Sequence, residues 1–326
     1  MITQFPFLIK FQAVIAATNL SEISKQQYQS RLKRLTDITK HDIDWVLINC
    51  DKTLELLQQD DKTEPQTLKS FTNSVLAVFK YTQGLKQKYK KYYLCWSKAR
   101  KDIDAIATEK YKNIQPSDKQ IENYVPWADI IATRDQLPHN SNTYLLLSLY
   151  TMIPPGRADF NNVKILYKQP TEAQIRQQPN YLIINDQYTK LVFNEFKTKS
   201  KKIQTYENIL PDRLVTVILN SLKHQPRDFL VVSPRNGKPY LKPKTFTTYI
   251  DRMLHKLFHK NVTINTLRHS FIMSLDFNKL TPKEKEHIAY LMMHSVSTQD
   301  TYRFAMPAKA NNQQQDKLCT ITCTQP

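Results

Sequence analysis

The chain has 326 residues, and its 47 lysines and arginines outnumber its 29 aspartates and glutamates to give a net charge of +18. Hydrophobic residues make up 40 % of the sequence and aromatic residues 10 %, which is enough to form packed cores and excludes a wholly disordered chain. Only three glycines occur, so neither a dinucleotide-binding fingerprint nor a phosphate-binding P-loop can be assembled.

The first third of the chain has the periodicity of helices. Tyr28, Leu32 and Leu35 repeat at intervals of four and three residues, and a similar apolar stripe runs from Leu68 to Phe79. The periodicity lapses in a polar stretch at residues 113–120 that contains a proline and a serine. We therefore predict a small helical bundle over residues 1–115 and a second domain over residues 116–326.

Residues 85–101 interleave basic and aromatic side chains, and the charge of the whole chain attracts polyanions. This composition favours nucleic acid as the partner, with the backbone phosphates held by basic groups. A helix with a solvated basic face and an aromatic core face would have the same composition. The candidate DNA contacts are Lys86, Lys88, Lys90, Lys91 and Arg100.

The second part opens with a buried helix at residues 143–152, which ends at the sequence Pro-Pro-Gly. Three short runs between residues 181 and 209 have strand composition and predict an antiparallel meander. Helical periodicity returns at residues 212–222, 244–258 and 265–275, and Thr281 begins a further helix as its N-cap. The predicted fold class is mainly α with a small β-meander, an α+β second domain.

Five residues of the second part occur in a distinctive order, which is Arg157 after the buried helix, Lys197 among the strands, Arg268 on a later helix, then His294 and Tyr302. This order, the strings Asn265–Ser270 and Met293–Ser295, and the Thr301-Tyr302 pair resemble the tyrosine recombinase family of phage-type integrases. Phe196-Lys197-Thr198 resembles the family's hairpin-lysine site. The helical first part fits the family's core-binding domain.

The resemblance implies a site-specific recombinase or integrase of a virus or mobile element. Such an enzyme cleaves double-stranded DNA through a covalent 3′-phosphotyrosine on Tyr302 and acts as a tetramer on DNA. Arg157 and Arg268 would stabilise the charge on the phosphate oxygens, because guanidinium groups are permanently charged and donate in pairs. Lys197 would protonate the leaving oxygen and His294 would bind the phosphate or orient Tyr302. Neither a metal ion nor a nucleotide cofactor is expected.

The sequence departs from the family pattern near these residues. Asn265 replaces the usual histidine and cannot transfer a proton. Met293 replaces the usual glycine, and Tyr302 follows His294 at a spacing one residue shorter than expected. Asp159 is expected to support Arg157 or the helix of Arg268, and His269 to contribute packing or a supporting hydrogen bond rather than chemistry.

Several alternatives remain open. The catalytic lysine could be any of the four in one turn, and Tyr290 competes with Tyr302 as the nucleophile. His294 could instead be a core histidine. A type IB topoisomerase shares the same tyrosine chemistry, and a relative that binds DNA without cleaving it would keep the fold. The competing lysines are Lys197, Lys199, Lys201 and Lys202.

No apolar run approaches the roughly 18 residues of a membrane span, and no secretory signal is apparent. The four cysteines are too sparse for a disulfide framework and are expected to be reduced thiols without a metal. These features predict a soluble protein inside the cell, in the host cytoplasm or nucleus if the source is a virus.

Overall fold

The computed structural model describes residues 15–16, 18, 20, 22–59, 63–112, 116–177, 179–199 and 204–304. The chain divides into two compact units, Met1–Asn113 and Ile114–Pro326, and the boundary proposed after residue 115 lies close to this division. Lys201, Lys202, Cys319 and Cys323 lie outside the described residues, as does the C-terminal tail of residues 305–326. None of the helices in the described ranges is long and apolar enough to cross a membrane.

The described part of the N-terminal unit is helical, in agreement with the apolar stripes of its sequence. Helix α4 (Pro65–Tyr81) packs against helix α6 (Lys90–Lys112). Phe71, Val75 and Val78 of the predicted stripe are buried, and Trp96 of α6 is fully buried with its indole N–H donating to the Leu47 carbonyl at 3.1 Å. The helices are α1 (Glu22–Thr39), α2 (Ile43–Ile48), α3 (Cys50–Gln58), α4 (Pro65–Tyr81), α5 (Leu85–Lys88) and α6 (Lys90–Lys112).

The C-terminal unit is mainly helical with one small sheet, so the predicted fold class is confirmed. Its elements are α7 (Asp118–Asn123), α8 (Trp127–Asp135), α9 (Asn142–Thr151), a 3-10 turn (Ala158–Asn162), β1 (Lys164–Leu166), α10 (Glu172–Gln177), β2 (Asn180–Ile184), β3 (Thr189–Phe193), β4 (Tyr206–Ile209), α11 (Asp212–His224), α12 (Pro243–Phe258), α13 (Ile264–Ser274), α14 (Pro282–Leu291) and α15 (Val296–Asp300).

The sheet contains the predicted meander, in which β2, β3 and β4 pair antiparallel. Strand β1 was not predicted from the sequence; it pairs parallel with β2, so that Ile165 lies opposite Leu182. The sheet is therefore mixed, in the order β1-β2-β3-β4. One face contributes Leu182, Leu191 and Phe193 to the main core, and the segment between β3 and β4 holds the predicted lysine turn.

Reciprocal N-terminal caps begin α13 and α14, the two helices that lead to candidate site residues. Thr281 forms the predicted N-terminal cap of α14, with its side chain and that of Glu284 bonding each other's backbone N–H groups. Thr263 and Thr266 form the same reciprocal cap at the start of α13. These local bonds fix the residues at which α13 and α14 begin.

Candidate active site

Arg157 is held at the exit of a buried helix. The α9 helix is apolar on nearly all sides and buried, and Tyr150 within it donates its hydroxyl to the Arg157 carbonyl at 2.9 Å. The guanidinium of Arg157 contacts the loop that follows α14, where its Nη1 donates to the Met293 carbonyl at 2.5 Å. Arg157, which the sequence marked by its position after a helix, is thus bonded to a residue 136 positions later in the chain.

Arg268 is almost wholly buried on α13, with an exposed fraction of 1 %. Its guanidinium donates from Nη1 to the carbonyls of Pro155 and Met292 at 2.7 and 3.0 Å, and from Nε to the Tyr302 hydroxyl at 2.9 Å. Burial lowers the pKa of Arg268, and the adjoining Tyr302 opposes that shift. Arginine remains charged in proteins, so the site contains a fixed cation away from solvent.

The loop after α14 has the geometry of a Schellman motif. The His294 N–H donates to the Ala289 carbonyl at 3.0 Å and the Met293 N–H to the Tyr290 carbonyl at 2.8 Å, as this helix ending requires. Met293 accordingly has a φ of 54°, in the left-handed region that favours glycine. The left-handed backbone conformation explains why the family resemblance predicts a glycine at this position. In this chain a methionine adopts the same conformation. The motif turns the carbonyls of Met292 and Met293 towards the two arginines.

His294 directly follows this turn and faces Arg268. Its Nδ1 lies 3.4 Å from Arg268 Nη2, and because arginine only donates, Nδ1 is the acceptor and Nε2 has the proton. Nε2 is buried and has no hydrogen-bond partner among the described residues. Burial, reinforced by the positive charges of Arg268 and Arg157, lowers the pKa of His294 to about 3. The site therefore holds a neutral imidazole with a free N–H donor.

Acidification is expected to destabilise the protein through His294. The unfolded chain takes up a proton on this residue below pH 6.5, whereas the folded chain resists it until about pH 3. The free energy of unfolding therefore falls as the pH decreases from 6.5, by up to about 1.4 kcal/mol per pH unit. Urea unfolding between pH 7 and pH 5 should show a smaller pH slope in His294→Gln. An unchanged slope would contradict the burial of a neutral imidazole, and His287→Gln, at an exposed position of α14, controls for the loss of an imidazole.

Tyr302 lies at the end of the short helix α15 and is buried in the same cluster, with an exposed fraction of 8 %. Its backbone N–H donates to the Gln299 carbonyl at 2.9 Å, and its carbonyl accepts from His269 Nδ1 at 2.8 Å. The Arg268 guanidinium lies 4.9 Å from the centre of the Tyr302 ring. Arg268 thus contacts the Tyr302 hydroxyl, and His269 contacts the Tyr302 backbone. His269 therefore packs directly beside the candidate nucleophile.

The rival tyrosine, Tyr290, has a different environment. Its hydroxyl accepts from the Glu207 N–H at 2.8 Å and donates to the Glu207 carbonyl at 3.1 Å, and its ring stacks on Tyr206 at 5.1 Å between centroids. These contacts bind α14 to the edge strand β4. Tyr290 is therefore engaged by the sheet, whereas Tyr302 is the tyrosine bonded to Arg268.

The predicted lysine turn is attached to this cluster by the residues beside Lys197. Thr198 donates its hydroxyl to the Met293 carbonyl at 2.7 Å and lies 3.4 Å from Arg157 Nη1. The Lys197 backbone N–H donates to the Asp159 carboxylate, whose pKa burial raises and the Arg157 charge lowers. Asp159 thus bonds the lysine turn beside Arg157, while the Lys197 side chain is exposed.

Lys199 and Asn265 differ from these residues in their contacts. Lys199 Nζ donates to the Asn194 carbonyl at 2.8 Å, which ties this side chain to its own turn. Asn265 is exposed on α13, three residues before Arg268 and so on the same helix face. The structure thereby distinguishes Lys197 from Lys199, which the sequence did not. Asn265 remains accessible to solvent.

The predicted DNA contacts of the N-terminal unit fall into two groups. Lys86, Lys88, Lys90 and Lys91 are exposed, and the amino group of Lys86 lies 4.5 Å from the centre of the Tyr93 ring. Arg100 is engaged inside the unit instead, donating to Asn73 at 2.6 Å and pairing with Asp104 at 3.2 Å. The four lysines remain candidate phosphate contacts, and Arg100 has its guanidinium committed to neighbours.

A groove of about 660 Å³ on the same unit was not anticipated from the sequence. Its lining combines basic and aromatic side chains from four helices, because α1 and the end of α4 meet the basic segment of α5 and α6 there. The periodicity of α1 had marked Tyr28 only as a core residue. The basic and aromatic lining residues are Tyr28, Arg31, Lys80, Tyr81, Lys86 and Tyr93.

No protein-family model matches the chain, and no curated protein matches it. Among solved structures it is similar to a lambda integrase (75–356) dimer bound to a COC′ core site, with a TM-score of 0.59, 13 % identity, and coverage of 96 % of this chain and 98 % of that chain. It also matches the XerA recombinase (TM-score 0.40, 17 % identity, 93 % and 94 % covered) and the Tn1549 transposon integrase with transposon right end DNA (0.42, 11 %, 93 % and 96 %).

The similarity to lambda integrase extends over almost the whole of both chains. Together with the confirmed α+β architecture, it defines the fold of the chain. The chain has the fold of the tyrosine recombinases.

Proposed function

We propose that the protein is a site-specific DNA recombinase that cleaves and rejoins strands through a covalent 3′-phosphotyrosine on Tyr302. The observation that supports this most directly is the 2.9 Å hydrogen bond between Arg268 Nε and the Tyr302 hydroxyl, formed 34 positions apart in sequence. A buried cation at this distance stabilises the phenolate that attacks phosphorus. The attack forms the Tyr302 oxygen–phosphorus bond and breaks the bond to the 5′ oxygen.

The two guanidinium groups would stabilise the phosphate during this exchange. Arg157 and Arg268 bond successive carbonyls of one turn, so their charges are held on the same side of the site. Fixed donors aimed at developing negative charge are the largest contributors to many enzymatic rate enhancements. His294 adds the Nε2 proton, which has no partner among the described groups and would donate to a non-bridging phosphate oxygen.

Lys197 would supply the proton that the departing 5′ oxygen needs. Its side chain is exposed, and its backbone is bonded to Asp159 and adjoins the Thr198 contact with Met293. A general acid must come within hydrogen-bonding distance of the leaving atom, and an exposed amino group with a free range of movement can do so. Lys199 is less suited because its amino group is bonded within the turn.

The partner proposed for this reaction is double-stranded DNA, with the protein acting as a tetramer on it as the family resemblance implies. The net charge of +18 and the exposed lysines beside tyrosine rings support contact with the phosphate backbone. The groove that includes Arg31 and Lys80 enlarges this basic surface. A source in a virus or mobile element is part of the same proposal.

A suicide-substrate trap tests the function. The substrate is a pool of nicked duplexes with randomised sequence, from which the leaving fragment diffuses after cleavage, so the recognition site need not be chosen in advance. Wild-type protein should form an adduct that survives denaturation, and peptide mapping should find the DNA on Tyr302. Tyr302→Phe should bind the same DNA and form no adduct, because it lacks only the attacking oxygen.

The other outcomes distinguish the alternatives. Joining of two DNA molecules that contain a selected sequence supports the recombinase. Relaxation of supercoils without strand exchange identifies a type IB topoisomerase instead. Binding without any adduct from the wild-type protein, while a control recombinase reacts, overturns the proposal in favour of a relative that has lost cleavage.

A further inference from the structure

Three side chains suited to metal binding meet in the N-terminal unit. Cys50 begins α3, Asp51 follows it, and Cys95 lies on the second turn of α6. Their ligand atoms, two sulfurs and a carboxylate oxygen, all lie within 4.8 Å of one another. Cys95 Sγ donates to Asp51 Oδ1 at 3.5 Å. The three groups thus already converge on one point.

We propose that Cys50, Asp51 and Cys95 bind a thiophilic divalent cation of the zinc class. Two thiolates and a carboxylate are ligands that zinc accepts in tetrahedral geometry, at about 2.3 Å from sulfur and about 2.0–2.2 Å from oxygen. In a tetrahedral site with these bond lengths the ligand atoms lie roughly 3.6–3.8 Å from one another. Ligand atoms that already lie within 4.8 Å of one another therefore need to approach by about 1 Å at most. Asp51 is exposed and Cys95 half-buried, so water can complete the fourth position.

The donor set favours zinc over the hard cations that a nucleic-acid-binding protein also meets. Magnesium and calcium prefer oxygen ligands, whereas sulfur selects zinc and softer ions. The arrangement is therefore selective as well as compact.

An ion at this point would connect the start of α3 to α6. The same helix, α6, begins with the exposed residues Lys90 and Lys91, which are candidate DNA contacts. Because an ion that binds only the folded chain stabilises it, zinc should raise the melting temperature of the protein. The inference concerns the N-terminal unit alone and does not depend on the proposed cleavage reaction.

The test is a titration of reduced, full-length protein with zinc alone. A Cys319→Ser/Cys323→Ser background is used because those two cysteines lie outside the described residues and could bind metal by themselves. Equilibrium dialysis with metal analysis should find a single ion per chain. Cobalt substituted for zinc should show thiolate-to-metal charge-transfer absorption. Magnesium should neither bind at this site nor compete.

Two variants with a matched control decide the outcome. Cys95→Ser should abolish binding, and Asp51→Asn should weaken it by at least about tenfold, since even outer partners of a metal contribute about 10–100-fold. Asp37→Asn, at an exposed acid of α1, should bind as the background protein does. Absence of zinc binding in the folded background protein would overturn the site. Undiminished binding in Asp51→Asn and Cys95→Ser would overturn it too, and Asp51→Asn decides if Cys95→Ser does not fold.

Discussion

Replacement of Arg268 by lysine is expected to reduce the rate of adduct formation by a factor of about 10²–10³, the usual cost of losing one donor to a developing oxyanion. Lysine keeps the charge but loses the planar fork that bonds Tyr302, Pro155 and Met292 at once. The loss should appear in single-turnover cleavage of the suicide substrate. Binding of the duplex should change little, because the net charge is conserved.

Part of this effect could arise from misfolding, so the substitution needs a buried arginine elsewhere as a control. Arg134 of α8 is 2 % exposed and donates to Asp135 at 2.9 Å and to Thr151 at 2.9 Å. Arg134→Lys should lower the free energy of unfolding by roughly 1–3 kcal/mol, as much as Arg268→Lys does, because it leaves buried hydrogen-bond partners unsatisfied. It should leave cleavage by the folded fraction of the protein intact. Equal loss of cleavage in both variants, after correction for folding, would contradict the role of Arg268.

Lys197→Ala is expected to slow adduct formation by a factor of about 10²–10⁴, the range of general acid catalysis. Lys199→Ala is the matched control, because the same turn loses the same charge while the group removed is bonded to Asn194. Its cleavage rate should stay close to that of the wild type. A larger defect in Lys199→Ala than in Lys197→Ala would reverse the assignment of the acid.

A change in the leaving atom separates proton donation from simple attraction of the phosphate. When sulfur replaces the bridging 5′ oxygen, the leaving thiolate is stable without a proton, so Lys197→Ala should cleave this substrate nearly as fast as the wild type does. Arg268→Lys should remain slow on it, since its defect concerns the non-bridging oxygens. Equal defects of Lys197→Ala on both substrates would show that the lysine does not act as the acid.

The elements that the sequence predicted well are those specified by local patterns. The helix beginning after Thr281 and the three meander strands follow from spacing and capping within a few residues. The strand β1 was missed because it has only three residues and pairs parallel, without the tight turn that marks a hairpin. Arg100 could not be separated from the exposed lysines, because its bond to Asn73 depends on how α4 packs against α6. Its ion pair with Asp104 lies within α6, at a spacing of four residues.

The sequence by itself determined the fold class and the order of the five candidate residues, since periodicity and residue type are properties of short segments. Only the tertiary structure decided which of these side chains meet: Arg157 bonds a carbonyl 136 positions away, and Tyr302 bonds Arg268 across 34 positions. It also decided that the Lys199 amino group is hydrogen-bonded to Asn194, that the Lys197 side chain is exposed, and that Met293 has a left-handed backbone conformation. Such contacts arise from packing between distant segments, where no local pattern records which atoms come within hydrogen-bonding distance.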